Sequence, residues 1–227
     1  IPFTIIYLKE LLDTKVHSKN DIENLLSIPF LGDIPISQDK SNSIIDNEQR
    51  SSTSEAFRLI RTNLDFMLPN KAKSSKFVFV TSTFGGEGKS FISINLAATL
   101  ALSGKRILLM GMDLRAPKFT EYIGVENKKG ITNYLTDDTL KLDDIKFKFP
   151  GVENLEIISS GAVPPNPAEL LASKGVETLF SEVKDYYYYD YIVVDTAPVS
   201  LVTDTLLISK YADMFLYVVR ANYTDKR

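Results

Sequence analysis

A glycine-rich turn followed by a lysine and a serine is the part of this sequence best suited to chemistry. The turn reads Gly85-Gly86-Glu87-Gly88-Lys89-Ser90, and Phe91 follows it. Glycines allow backbone N–H groups to converge on an oxygen anion without clashes from Cβ atoms. Lys89 can then reach the outer phosphates of a nucleotide, and the Ser90 hydroxyl can ligate Mg²⁺. We predict that residues 85–91 bind phosphate, although Thr83 stands where the strict motif has glycine. The alternative is a flexible glycine turn before a core helix.

The residues on either side of the turn predict the elements that position it. Residues 77–80 form a short apolar run of phenylalanine and valine, which is typical of a strand buried on both faces. Residues 92–101 are largely apolar and predict a helix that is packed on more than one side. The amino terminus of such a helix offers free N–H groups and the positive end of its dipole. Strand, turn and helix therefore stand in the order that a phosphate site requires.

Two aspartates follow other predicted strands and are candidates for the same site. Asp113 comes shortly after a strand predicted at residues 106–110, and Asp195 ends the apolar strand predicted at residues 191–195. In an open parallel sheet, ligands bind beyond the carboxyl ends of the strands. We therefore expect Asp113 to face the phosphates and Asp195 to lie near Mg²⁺, holding it through water. The alternative for Asp195 is an ordinary aspartate in a turn.

The composition excludes several kinds of site. The chain has 227 residues, a net charge of −3, no cysteine and one histidine, His17. Disulfides, thiolate metal sites and histidine metal clusters are thereby excluded, and no basic surface for nucleic acid is indicated. No apolar run is long enough to span a bilayer. The apolar residues 1–8 are either the end of a transmembrane helix or a helix packed on the body of the protein.

The alternation of apolar strands and helices predicts an α/β fold with a doubly wound, mostly parallel sheet. We divide the chain into an appendage at residues 1–36, a polar linker at 37–53 and the main domain at 54–227. Within the appendage, residues 3–13 and 19–26 predict helices, and residues 30–35 predict a short strand that ends at a proline. The order of the strands in the sheet is not predicted.

A helix predicted from Ser54 to residue 68 has two distinct faces. The apolar residues at helical spacing, which predict its buried face, are Phe57, Ile60, Leu64 and Met67. Three charged residues lie away from that stripe, namely Glu55, Arg58 and Arg61. They form either a solvated charged face or an interface with a neighbouring subunit.

Four consecutive tyrosines occupy residues 186–189, and Tyr191 follows one residue later. A cluster of this kind is a candidate phosphate acceptor. However, the run joins a predicted helix to a core strand, and at such a place tyrosine packs its ring against the core and leaves its hydroxyl in contact with solvent. We therefore favour a structural role for the run.

Four motifs, in this order, resemble the bacterial tyrosine kinases that control capsular and exopolysaccharide synthesis. They are Glu55-x-x-Arg58-x-x-Arg61, the loop at residues 85–90, Asp113-x-Arg115 and the strand at residues 191–195. A proline-rich segment at residues 161–171 lies between the last two, and the resemblance covers the whole chain. The loop is similar to that of the P-loop NTPases with a deviant Walker A motif, the partitioning and septum-positioning ATPases.

The resemblance implies an activity and a set of site residues. Enzymes of this family transfer phosphate from Mg·ATP to protein tyrosines. Lys89, Asp113 and Asp195 would be the catalytic residues. Ser90 and the two aspartates would hold Mg²⁺, and residues 85–91 would bind the nucleotide. Arg115 would tie the strand end to the phosphates or to an adjacent subunit.

The resemblance also implies a location and partners. In this family the kinase domain lies on the cytoplasmic face of the inner membrane, where it follows, or is activated by, a transmembrane chain-length regulator. Residues 1–36 would be its juxtamembrane segment. The helix with Glu55, Arg58 and Arg61 mediates ring-shaped self-association in the family, which favours the interface interpretation. Members phosphorylate the tyrosine tail of a neighbouring subunit, and a tyrosine phosphatase is an expected partner, whereas nucleic acid is not.

The sequence departs from the family pattern at two places. Gly111 stands where the first acid of an Asp-x-Asp pair is usual, so the role of that acid shifts to Asp113 or weakens. The chain also ends before the expected last helix, last strand and tyrosine tail. Two other functions stay open: an ATPase switch without kinase activity, and a non-catalytic nucleotide-binding scaffold of the polysaccharide machinery.

Overall fold

The computed structural model describes residues 7, 13–36, 51–68, 75–124, 129–186, 189–200 and 203–226. The chain forms two compact units. The larger comprises residues 31–218, and the smaller combines residues from 1–30 and 219–227. The predicted division at residues 36 and 53 stays a prediction, because residues 37–50 of the linker lie outside the described residues.

The larger unit is built on one sheet. Its strands are β1 (Lys76–Ser82), β2 (Ile107–Gly111), β3 (Lys146–Lys148), β4 (Leu155–Ile158), β5 (Tyr191–Asp195) and β6 (Met214–Val218). Within the described residues they are hydrogen-bonded in the order β3-β4-β2-β5-β1-β6. Every neighbouring pair is parallel except β3 with β4, which is antiparallel. The predicted doubly wound, mostly parallel sheet is confirmed.

Helices separate these strands along the chain, except that β4 follows β3 without a helix between them. The described helices are α1 (Lys19–Leu25), α2 (Ser52–Met67), α3 (Lys89–Leu102), α4 (Phe119–Ile123), α5 (Ile131–Thr136), α6 (Leu142–Ile145), α7 (Pro167–Leu171), α8 (Lys174–Tyr186) and α9 (Asp204–Ile208), with a 3₁₀ turn at Ser209–Tyr211. The sequence did not predict α6 or β3. They have 4 and 3 residues, which is too short for a periodic pattern to appear.

The sheet separates two apolar cores. Side chains alternate along a strand, so Val78 and Val80 of β1 face one core, whereas Phe77 and Phe79 face the other. Helices α2 and α3 contribute to the first core and α8 to the second. Because β1, β2 and β5 are buried along their whole length, their carboxyl ends are held firmly beside one another.

Helix α2 buries three of the four residues predicted for its inner face. Phe57, Ile60 and Leu64 are buried in the first core. The prediction for Met67 is wrong, since this side chain is 39% exposed. At about 100° per residue the stripe continues to residue 68 rather than 67. Leu68 accordingly packs against the core in its place.

The short strand predicted at residues 30–35 is wrong. Residues 29–36 form no strand or helix. Instead, the Leu31 carbonyl accepts a hydrogen bond from Asn63 Nδ2 of α2 at 2.8 Å. Gly32 approaches α2 so closely that a Cβ there would lie 2.8 Å from Ile60 Cγ1. The segment is therefore bound to a helix through side-chain contacts, and the extended apolar pattern reflects packing rather than pairing in a sheet.

The tyrosine run is partly in the core. Tyr189 and Tyr191 are buried, and the Tyr191 hydroxyl donates to Asp65 Oδ1 at 2.6 Å. Lys105 Nζ lies 2.6 Å from the same oxygen. These two tyrosines have the predicted structural role. Residues 187 and 188 lie outside the described residues.

The smaller unit contains α1, which confirms the helix predicted from residue 19. The Asp21 carboxylate accepts hydrogen bonds from the backbone N–H groups of His17 and Ser18, at 2.9 and 3.1 Å, and so caps the helix. Lys226 Nζ pairs with Asp21 at 2.9 Å. The helix predicted at residues 3–13 falls almost wholly outside the described residues. In the part of the chain that is described, no helix has the length and apolar character needed to cross a bilayer.

Candidate nucleotide site

The glycine turn adopts a backbone conformation that favours glycine. Gly86 has a φ of 85° and Gly88 a φ of 99°, in the region that residues with a Cβ avoid. A Cβ built on Gly85 or on Gly88 meets no atom within 4 Å, so these positions face open space. A turn of this conformation, ending at the first residue of α3, has the geometry of a phosphate-binding loop.

Hydrogen bonds within and around the turn maintain this conformation. Glu87 is buried, and its carboxylate accepts a hydrogen bond from the Phe84 N–H at 2.8 Å. Ser82 Oγ donates to the Phe84 carbonyl at 2.8 Å, and Thr83 Oγ1 lies 2.7 Å from the Tyr217 hydroxyl. The side chain of Glu87 thus braces the loop. Any contribution of this residue to nucleotide binding comes from its backbone and stays a prediction.

The first turn of α3 presents a serine to the acid at the end of β5. Ser90 Oγ donates to Asp195 Oδ2 at 2.6 Å, and Ser93 Oγ donates to Oδ1 at 3.1 Å. Lys89 is buried beside them. The Phe91 side chain instead packs against the first core, with its ring 6.0 Å from that of Phe57. A hydroxyl and a carboxylate side by side at a helix start are the protein ligands that P-loop sites offer to Mg²⁺.

The environment of Asp195 favours a cation. Burial raises the pKa of this carboxyl to about 6, although the Ser90 hydroxyl and the Lys89 cation act in the opposite direction. The negative charge of Asp113 raises the pKa further, so the two acids are close enough to interact. A buried carboxylate near a second acid gains stability when a metal ion binds beside it.

Asp113 and Arg115 lie in the turn that follows β2. The Asp113 carboxylate accepts hydrogen bonds from the N–H groups of Arg115 and Ala116, at 3.3 and 3.1 Å. The Arg115 guanidinium pairs with Asp204, the first residue of α9, with Nε 2.7 Å from Oδ2 and Nη2 3.0 Å from Oδ1. The predicted contact of Arg115 with phosphates or with another subunit stays a prediction.

The site residues fit Mg²⁺ bound together with a nucleotide. The described residues contain no group of three or more histidine, cysteine, aspartate or glutamate side chains that could hold a metal ion. However, Mg²⁺ is usually held by one or two carboxylates together with the phosphates of the substrate. Ser90 and Asp195 supply a hydroxyl and a carboxylate. Asp113 lies two residues after Gly111, which is paired with Asp195 between β2 and β5.

The three charged residues of α2 are not part of this site. Glu55 is exposed and forms an ion pair with Arg58, while Arg61 is half-buried. The same helix carries Leu59 and Phe66, which are 56% and 80% exposed. The structure therefore places the predicted interface residues next to apolar side chains that lie at the surface.

Sequence reasoning missed two residues of the site. Ser93 lies three residues after Ser90, and this spacing places both on one face of a helix, which was a usable signal. Asp204 could not be recognised in this way. Acids are common in the first turn of helices because they interact favourably with the helix dipole. The position of Asp204 therefore gave no sign that it pairs with Arg115.

Replacing Gly88 by alanine tests the loop conformation. We expect the variant to lose about 1–3 kcal/mol of stability, because a Cβ is strained at this positive φ even where space is available. Gly85→Ala is the matched control, since its Cβ also meets no atom within 4 Å and its φ is not in the positive region. Urea unfolding of both variants without nucleotide measures the difference, and equal stabilities would contradict the loop geometry.

Comparisons with known proteins agree with this geometry. An AAA domain family matches residues 75–224. The putative tyrosine-protein kinase CapB of Staphylococcus aureus is 34% identical over 182 residues, which cover 80% of this chain and 77% of CapB. Among solved structures, the chimerical protein CapA2B2 is 32% identical with a TM-score of 0.81, covering 92% of this chain and 88% of that one. The septum site-determining protein MinD of Pyrococcus horikoshii, 22% identical with a TM-score of 0.51 over 63% of this chain and 57% of its own, shares the fold.

Proposed function

Because the chain belongs to the family of bacterial tyrosine kinases, we propose that it is an ATP-dependent protein-tyrosine kinase. Its substrates are tyrosines of neighbouring subunits, and it regulates capsular or exopolysaccharide synthesis. The observation that supports this most directly is the hydrogen bond between Ser90 and Asp195, 2.6 Å long, at the mouth of the glycine loop. It joins two residues that lie 105 positions apart in the sequence, and this pairing beside the loop supports a site for the phosphate end of a nucleotide.

The residues of the site have distinct roles in this proposal. Backbone N–H groups of residues 85–90 and the Lys89 ammonium stabilise negative charge on the phosphate oxygens. Ser90 and, through water, Asp195 would hold Mg²⁺, and Asp113 would be a further partner of the ion. The ion, when bound, neutralises charge on the β- and γ-phosphates. Catalysis of this kind is mostly positioning, which suits a loop held by buried strands and internal hydrogen bonds.

The chemical step transfers one phosphoryl group. The tyrosine hydroxyl oxygen forms a bond to the γ-phosphorus, and the bond from that phosphorus to the bridging oxygen of ADP breaks. The tyrosine proton passes to a base, for which Asp113 is the candidate because Gly111 cannot serve. Asp113 is half-exposed beside the buried Asp195, so an incoming hydroxyl can reach it more easily than the buried acid.

The proposed partners rest on the resemblance to the family and on the residues at the surface of α2. Subunits associate in a ring through Glu55, Arg58 and Arg61, and the exposed Leu59 and Phe66 beside them add apolar area to such a contact. The domain works on the cytoplasmic face of the inner membrane beside a transmembrane chain-length regulator, with residues 1–36 as the juxtamembrane segment. A tyrosine phosphatase reverses the modification.

To test the proposal, the full-length protein is incubated with Mg·ATP, and phosphotyrosine and free phosphate are measured in parallel. The kinase proposal expects phosphotyrosine that increases with protein concentration, because the acceptor lies on another subunit. Phosphate release without phosphotyrosine would select the ATPase switch. Nucleotide binding without either product would select the non-catalytic scaffold, and both of these results contradict the proposal.

A further inference from the structure

The ion pair between Arg115 and Asp204 lies beside the nucleotide site and has no role in the chemistry described above. Two parallel N–H···O bonds join the guanidinium to the carboxylate, at 2.7 and 3.0 Å. Such a bidentate pair fixes the direction of the arginine as well as its distance. The Asp204 side chain is 2% exposed and that of Arg115 is 41% exposed. The pair therefore joins a surface residue to a buried acid.

Burial makes this pairing obligatory for Asp204. A buried carboxylate without a partner is strongly unfavourable, because the protein interior solvates charge poorly. Arg115 is the cation that satisfies it in this structure. An arginine that donates two hydrogen bonds to a buried acid, from Nε and Nη2, is poorly suited to leave that acid for a phosphate each time a nucleotide binds.

Asp204 itself is held firmly relative to the site. The next residue, Thr205, is buried and donates from Oγ1 to the Ala197 carbonyl at 2.7 Å. Thr81 of β1 donates to the same carbonyl at 3.1 Å. The first turn of α9 is thus tied to the loop after β5 and to the end of β1. Arg115 extends this connection to the turn after β2.

The same turn orients Asp113. Its carboxylate accepts the N–H groups of Arg115 and Ala116, so the position of residue 115 determines where that carboxylate points. We infer that Arg115 is a positioning residue, which holds Asp113 toward Asp195 by its bond to Asp204, rather than a ligand of the nucleotide phosphates. The inference rests on the proposed function only in assigning Mg·nucleotide to the site.

Two variants separate these roles. Arg115→Lys keeps the positive charge but removes the planar guanidinium that forms the bidentate pair. Asp204→Asn keeps the shape of the side chain but removes its charge. If Arg115 acts through Asp204, both variants raise the Mg²⁺ concentration needed to bind a fluorescent ADP by about 10- to 100-fold, as is usual when a partner of a metal ligand is removed. The double variant is no worse than the poorer single one, because both break the same contact.

A second measurement needs neither metal nor nucleotide. Backbone hydrogen exchange of residues 111–118 in the ligand-free protein should be faster in both variants, since the Arg115 and Ala116 N–H groups lose their fixed acceptor. Asp65→Asn is the control, because it removes an acid from a polar cluster at the opposite, amino-terminal ends of the strands. It is expected to lower overall stability without changing the exchange of residues 111–118 selectively or the Mg²⁺ requirement.

Two results would overturn the inference. One is an Asp204→Asn protein with normal Mg²⁺ dependence and normal exchange of residues 111–118. The other is weakened ADP binding in Arg115→Lys but not in Asp204→Asn, which would make Arg115 a phosphate ligand. Failure of the proposed function is a separate result, because it appears as a wild-type protein that binds Mg·ADP normally but makes no phosphotyrosine.

Discussion

Replacing Lys89 by methionine will lower the rate of tyrosine phosphorylation by about 10²- to 10³-fold. The lysine is buried at the start of α3, directly after the glycine loop, and its charge acts on Asp195. In the proposed function its ammonium stabilises the transferred phosphate. Loss of one preorganised donor of this kind typically costs about 10²- to 10³-fold in rate, or roughly 3–4 kcal/mol. Methionine keeps most of the volume, so the effect reports the lost charge. Quantitative phosphotyrosine labelling with Mg·ATP measures it.

The matched control for this variant is Lys105→Met. Lys105 is a half-buried lysine outside the proposed site, and its Nζ lies 2.6 Å from Asp65 Oδ1. It precedes β2, at the end of the sheet opposite the loop. We expect Lys105→Met to lose some stability but to retain labelling below its unfolding temperature. A Lys89→Met protein that labels like wild type would remove the assignment of this loop as the catalytic phosphate site.

Replacing Asp195 by asparagine will stabilise the ligand-free protein while abolishing its activity. Burial raises the pKa of Asp195 to about 6, which means that the folded protein holds the charged form at a cost. A shift of about two pKa units corresponds to roughly 3 kcal/mol at most, so we expect a gain of about 1–3 kcal/mol near pH 8. Asparagine carries no charge and keeps the shape of the side chain. Urea unfolding in the presence of a metal chelator measures the gain.

The sign of the pH dependence follows from the direction of this shift. When the folded pKa is above the unfolded one, the folded state binds the proton more tightly, and stability falls as pH rises between the two values. The gain from Asp195→Asn should therefore be small near pH 4 and complete above about pH 6. A gain that is absent at high pH, or larger at low pH than at high pH, would contradict a buried, charged Asp195.

Asp65→Asn provides a control of opposite sign. Burial tends to raise the pKa of Asp65, but the Lys105 ammonium and the Tyr191 hydroxyl outweigh it, so its pKa is lowered. A carboxylate whose pKa is lower in the folded than in the unfolded state stabilises the fold at pH values above its unfolded pKa. That stabilisation is lost as the pH falls through its folded pKa. Asp65→Asn should accordingly destabilise the protein at neutral pH and have little effect at strongly acidic pH.

Much of the site was predictable because its residues follow rules of local sequence. A run of four apolar residues, three glycines in four positions and a Lys-Ser pair before an apolar helix specify a phosphate loop without any knowledge of distant contacts. Asp113 and Asp195 were found from the rule that ligands bind beyond the carboxyl ends of parallel strands. The structure places β5 between β1 and β2, so both acids lie at the same edge of the sheet as the loop.

The fold elements that were mispredicted show the limit of local patterns. Residues 30–35 have the composition of a strand, yet Leu31 and Gly32 contact α2 instead. Met67 fell one residue away from the true stripe, which Leu68 continues. The error at residues 30–35 arises because the local sequence does not contain what packs opposite a residue. The error at Met67 is one of spacing, since the helical period continues the stripe to residue 68.

By itself, the sequence determined the α/β class, the phosphate loop and the family to which the chain belongs, since these depend on short motifs and on periodicity along the chain. Only the tertiary structure decided the order of the strands, the bonds of Ser90 and Ser93 to Asp195, and the commitment of Arg115 to Asp204. Arg115 and Asp204 lie 89 positions apart, and nothing local marks either as the partner of the other. Contacts between residues so distant in the sequence exist only in the folded chain. There, the two cores on either side of the sheet hold the ends of β1, β2 and β5 together.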